Sequence, residues 1–161
     1  MVKKLVLEIM KNLKNLLTTP LQLQIIPKWI IIMLVIAVLI GFADATYLTV
    51  EHYQNRIPPC TIGGCEIVLT SQYSEILSIP VSLLGAIYYL FILIFLILYI
   101  DIKKEIFLRV PLIVSIFGLI ASIWFSYLQI FIIKAFCPYC AVSAVTSLII
   151  FISAFHIFSK N

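Results

Sequence analysis

The stretch Pro80–Ile100, PVSLLGAIYYLFILIFLILYI, runs for 21 residues without a charged side chain. At a rise of 1.5 Å per residue, about 20 such residues cross the ~30 Å hydrocarbon core of a bilayer. Three further stretches meet that length: Trp29–Val50, Pro111–Ile133 and Ala141–Phe158. Together the four take up roughly half of the 161 residues, which leaves only short links. Lipid offers no partners to backbone N–H and C=O groups, so each span must satisfy its own, as a helix does. Alternating apolar and polar segments of the membrane-barrel type are absent. The expected fold is therefore an all-α membrane protein, a four-transmembrane-helix bundle.

Composition agrees. Apolar residues make up 63% and charged residues 11%, against ~45–50% and ~25% in soluble domains. One soluble core cannot hide that much apolar surface, and disorder needs the opposite balance. The net charge of +4 comes from 11 scattered Lys and Arg, too sparse for a phosphate-binding face, so no nucleic-acid partner is expected.

Orientation follows from the cations near the span ends. Lys3, Lys4, Lys11, Lys14, Lys28, Lys103, Lys104, Arg109 and Lys160 fall on one side, and Arg56 and Lys134 on the other. This predicts a multi-pass protein of the cell membrane with both termini cytoplasmic. The loop 51–79 and the link 134–140 then face outward. Residues 1–28 form a separate cytoplasmic segment before the transmembrane domain 29–158. Val2, Leu5, Val6, Ile9, Leu13, Leu16 and Leu17 recur at helical spacing opposite lysines. They predict an amphipathic helix lying on anionic lipid or packing beneath the bundle. Ala43-Asp44-Ala45 has the small-x-small form of a cleavage site, but the apolar run continues to Val50, so a retained span is expected.

All four cysteines fall on the outer side. Cys60 and Cys65 form a C-x4-C pair in the long loop, and Cys137-Pro-Tyr-Cys140 opens the last span. An outer face permits disulfides. Gly63 and Gly64 make the first pair pliable. The second pair sits on a helix start, with Cys137 near the N-cap and Pro138 at the first helical position, where a missing N–H costs nothing. A helix N-terminus favours thiolate, the species that attacks disulfides. A mobile and a fixed dithiol on one face suggest an electron relay. Cys140 lies deeper, near an apolar redox carrier, and Cys137 nearer the loop. Two static disulfides stapling a non-catalytic tetraspan, a four-thiolate zinc site, and a binding or transport bundle with incidental cysteines stand as alternatives.

With these residues in place, the chain resembles the vitamin K epoxide reductase family, in particular its short prokaryotic members. The resemblance covers residues 29–158. It rests on the loop cysteine pair, Cys65-Glu-Ile-Val-Leu-Thr-Ser71, Ile79-Pro-Val-Ser-Leu-Leu-Gly85 and Cys137-Pro-Tyr-Cys140, in that order and topology. It implies a bundle surrounding a quinone of the ubiquinone or menaquinone type, drawn from the quinone pool, with the outer loop as a lid. It further implies that Cys140 contacts the quinone, Cys137 exchanges with Cys65, and Cys60 meets a thioredoxin-like protein acting in trans. Ser71 and Tyr89 match family residues near the quinone. The implied activity is a quinone-dependent thiol–disulfide oxidoreductase supporting disulfide formation. Its alternative is a vitamin K or quinone epoxide reductase running on thiol electrons. The vertebrate enzymes carry an asparagine donor where this chain has Val81, which argues against the epoxide.

Asp44, in the outer part of the first span, is expected to reach the interface beside Tyr47, with proton delivery to the quinone as the alternative. His52 is expected in solvent and His156 at the opposite interface. Tyr88, Tyr89, Trp124, Phe125 and Tyr127 are candidates to wall a flat ring, although aromatics in spans more often pack or anchor. Lys134 is expected to snorkel outward.

Overall fold

Pro27 holds an extended backbone (φ −60°, ψ 128°), and from Lys28 the chain turns into the first long helix. The computed structural model describes residues 27–60, 64–76, 78–104 and 106–159, so the amphipathic segment expected over 1–28 lies outside the described residues apart from its last two. Helix α1 spans Lys28–Tyr53. A connecting loop follows, with a short helix α2 (Cys65–Leu69) and two-residue strands β1 (Glu75–Ile76) and β2 (Ile79–Pro80). The strands pair antiparallel, Glu75 opposite Pro80 and Ile76 opposite Ile79, and Ser78 takes a left-handed φ of 63° in their turn. Helix α3 is Val81–Ile102, α4 is Ile106–Tyr127 continuing into a π-helical stretch Leu128–Ile133, and α5 is Pro138–Ser159.

Four helical segments are long and apolar enough to cross a membrane: Lys28–Tyr53, Val81–Ile102, Ile106–Ile133 and Pro138–Ile157. The chain is thus an all-α, multi-pass membrane bundle. Helix α1 packs on α3 and α5, and α4 packs on the same two. The four close into a ring in which each helix runs antiparallel to its neighbours.

The helices show little amphipathic contrast because both their faces meet apolar surroundings. Trp29, Ile36, Ile97, Phe117, Ile123 and Phe155 are more than half exposed and cover the outside. Inside, Tyr89, Ile92 and Leu96 of α3 follow helical spacing and meet Leu34 and Val38 of α1 and Ile150 and Ala154 of α5. Gly41 of α1 admits the Tyr89 ring, since a Cβ there would overlap it. The Tyr89 hydroxyl donates to the Ser143 carbonyl at 2.9 Å and lies 2.8–3.1 Å from the hydroxyls of Ser143, Thr146 and Ser147. Such polar ties between spans replace the hydrophobic drive that lipid does not supply.

One expected boundary is corrected. In the sequence the third apolar stretch runs from Pro111. The helix instead begins at Ile106, with Pro111 in its second turn and Arg109 buried at 3% exposure. The link between α3 and α4 shrinks accordingly, and Lys103 ends α3 in a left-handed conformation with its N–H on the Tyr99 carbonyl.

Candidate active site

Helix α5 begins at Pro138, as its lack of an N–H predicts, and Ala141 donates to the Cys137 carbonyl at 3.1 Å to close the first turn. Cys137 is fully buried and Cys140 half-buried, both as free thiols. Cys60 and Cys65 form a disulfide with their Cα atoms 6.2 Å apart. Cys65 opens α2 and is fully buried, while Cys60 keeps partial exposure.

The loop pair rests on the helix pair. Cys65, Val68 and Cys137 form one buried cluster, with Cys60, Tyr139 and Cys140 packed against it. Gly64 makes the approach possible: its φ is 119°, and a Cβ there would lie 2.8 Å from the Phe136 carbonyl oxygen. The Tyr139 hydroxyl donates to the Pro59 carbonyl at 3.1 Å, and its ring sits 5.7 Å from that of Tyr47. The disulfide leaves Cys60 and Cys65 no thiolate to offer a metal, so the four-thiolate arrangement does not describe this state.

Sequence reasoning missed Gln129. It lies in the π-helical stretch, a geometry that often marks functional positions. Its backbone carbonyl accepts from Lys134 and Ala135, the latter at 3.2 Å. Its side-chain Oε1 accepts the buried Cys137 N–H at 3.3 Å, and the same side chain reaches Cys140. No spacing in the sequence announces a π turn.

The surroundings activate Cys137. Its thiol is drawn from 9.0 down to about 7, first by the hydrogen bond from Cys140 and then by the backbone amides of Cys140 and Tyr139, against burial and the charge of Asp44. Amides converging on sulfur at a helix start favour thiolate.

Beneath the loop lies a cavity of about 880 Å³. Of the four cysteines, Cys140 alone lines it. Ser71, Val81 and Tyr89 also line it. Ser71 donates to the Val68 carbonyl at 2.8 Å, and the Tyr89 hydroxyl is held by α5 as described. Tyr88 and Phe125 contribute to the wall, whereas Trp124 and Tyr127 turn outward at 57% and 48% exposure. His52, in the last turn of α1, pairs with Glu75 at 3.2 Å rather than standing in solvent, which ties α1 to the hairpin. His156 is exposed in the last turn of α5. Asp44 does not reach out as expected: it lines the cavity, and its Oδ2 is buried without a hydrogen-bond partner.

Mostly apolar walls, the Cys140 sulfur and the orphaned Asp44 oxygen fit a flat redox ring with polar edges. In comparisons with known proteins, the family model described as "Vitamin K epoxide reductase family" matches residues 31–155. A search of curated proteins returns no match.

Proposed function

The chain belongs to the vitamin K epoxide reductase family and is thereby a membrane oxidoreductase with disulfide-related chemistry, and from that premise we propose that it couples thiol oxidation outside the cell to a quinone. Electrons come from a secreted thioredoxin-like protein in trans, pass through Cys60 and Cys65 to Cys137 and Cys140, and end on a ubiquinone- or menaquinone-type acceptor. The carrying observation is the stacking order: Cys60 partly exposed, Cys65 and Cys137 buried together, and Cys140 on the cavity wall.

That order supports the following roles. Cys60 is the accessible sulfur for a partner's thiolate. When the loop pair is reduced and the helix pair oxidised, Cys65 exchanges with Cys137 through a mixed disulfide. Its low thiol pKa makes Cys137 a good leaving group in that exchange. Cys140 stays with the acceptor, which supplies two-electron, two-proton chemistry when bound. Ser71 and Tyr89 are proposed to border the ring. Val81 adds an apolar side chain to the wall, which favours a plain quinone over an epoxide that needs a donor there.

Purified protein, a soluble quinone and a reduced thioredoxin-like substrate test the reading through quinone absorbance. Thiol-dependent quinone reduction is expected in the wild type. It is expected to be lost in Cys60→Ser, Cys65→Ser, Cys137→Ser and Cys140→Ser variants. Turnover that survives in the loop variants demotes Cys60 and Cys65 to scaffold. A wild type with no turnover and two inert disulfides favours the stapled tetraspan.

A further inference from the structure

Oxidation of Cys137 and Cys140 breaks two S–H bonds and forms one S–S bond, so two electrons and two protons must leave. The reduced acceptor gains two O–H bonds. Cys137, its thiol pKa held low by the Cys140 thiol and the amides at the head of α5, is the sulfur that gives up its proton first, to water. The remaining proton lies on Cys140, hydrogen-bonded to the Cys137 sulfur, at the wall of a cavity under the loop. A base within the cavity is needed to take it.

The ionisable side chains facing that cavity can be compared one by one. His52 and Glu75 hold each other. The Tyr89 hydroxyl has four oxygen neighbours on α5. Tyr88 is a phenol, suited to donate at neutral pH. Glu51 lies seven residues, about two helical turns, beyond Asp44 toward the end of α1, Arg56 lies past that end, and Tyr73 belongs to the loop. Helix α4 contributes no ionisable group to the described lining. Asp44 is left, within electrostatic reach of both sulfurs. Its buried Oδ2 has no partner. An unpartnered carboxylate oxygen inside a membrane span is costly, and such groups mark proton paths.

We propose that Asp44 accepts the Cys140 proton as the S–S bond forms and passes it to one oxygen of the quinone, the other quinone oxygen taking its proton from water. The proposal rests on the quinone-linked reading above. It adds a proton-transfer residue on α1 to a site otherwise built from the loop and α5.

The test uses the full chain in detergent, a short-chain ubiquinone and dithiothreitol as electron donor, with Asp44→Asn and Asp44→Glu variants. Two readouts are taken: steady-state quinone reduction, and iodoacetamide alkylation of Cys137 against pH, followed by mass spectrometry. Loss of a general base predicts a kcat lower by about 100-fold in Asp44→Asn, with KM little changed and substantial activity retained in Asp44→Glu. Removing a negative charge near Cys137 is also expected to move its alkylation midpoint to lower pH. The variant would then be slower as an enzyme and more reactive as a thiol, a split that a merely disturbed site would not give. A kcat in Asp44→Asn within about threefold of the wild type overturns the proposal, as does a parallel loss of turnover and thiol reactivity. A wild type that reduces no quinone overturns the relay itself, a failure visible before any variant is compared.

Discussion

The Cys137 thiol is held more acidic than an ordinary cysteine, and its neighbours explain why. The Cys140 thiol donates to it, and the amides of Cys140 and Tyr139 point at its sulfur from the head of α5. In the reduced enzyme, alkylation of Cys137 should be half-maximal near pH 7 rather than 9.0. Replacing Cys140 with Ala removes the largest contribution and should move that midpoint upward. The same shift has a stability consequence. Because folding favours the thiolate, the contribution is complete above the unfolded thiol's pKa, about 8.5–9, and is lost as pH falls through about 7. Thermal unfolding of the reduced protein at pH 6 and pH 9 checks the sign, with Cys137→Ala as the variant in which this part of the pH dependence disappears.

At the scale of elements, the sequence was legible where one residue type has one structural use. Pro138 marked the start of α5, and four uncharged or nearly uncharged runs marked the spans. It was illegible where tertiary contacts decide. Arg109 looked like a loop cation yet is buried within α4, and nothing in Leu128–Ile133 signalled a π helix. That stretch places Gln129 on the Cys137 N–H. Gln129→Leu should strand this buried donor and cost about 1–3 kcal/mol relative to the wild type. Thermal unfolding in detergent compares the two. Glycines give a second contrast. A Cβ on Gly41 would overlap the Tyr89 ring, which is fixed at its far end by α5, while a Cβ on Gly85 would sit an ordinary 3.6 Å from the Ala45 Cβ. Gly41→Ala should therefore destabilise by about 1–3 kcal/mol. Gly85→Ala should be neutral or stabilising by up to about 1 kcal/mol.

For the whole molecule, the decisive quantity is which end of the bundle faces out, because a relay that meets a secreted partner works only from an oxidising side. Both dithiols, the hairpin and the cavity lie at the end where α1 stops and α5 starts. Arg56 and Lys134 are at that end, and Lys28, Lys103, Lys104 and Arg109 are toward the other. Burial of Arg109 removes it from the links that orientation depends on, but the imbalance persists without it. Cations in short links are retained on the cytoplasmic side, so the cysteine end should face outward. Single cysteines placed at Asn55, just past α1, and at Lys103, in the α3–α4 link, test this in a background with the four native cysteines replaced by serine. A membrane-impermeant maleimide added to intact cells should label the Asn55→Cys protein, and should label the Lys103→Cys protein only after permeabilisation. The reverse pattern would put the cavity mouth and Cys60 in a reducing compartment. The loop pair would then be held as thiols, and the electron flow proposed from a secreted thioredoxin-like protein would have no donor on that side.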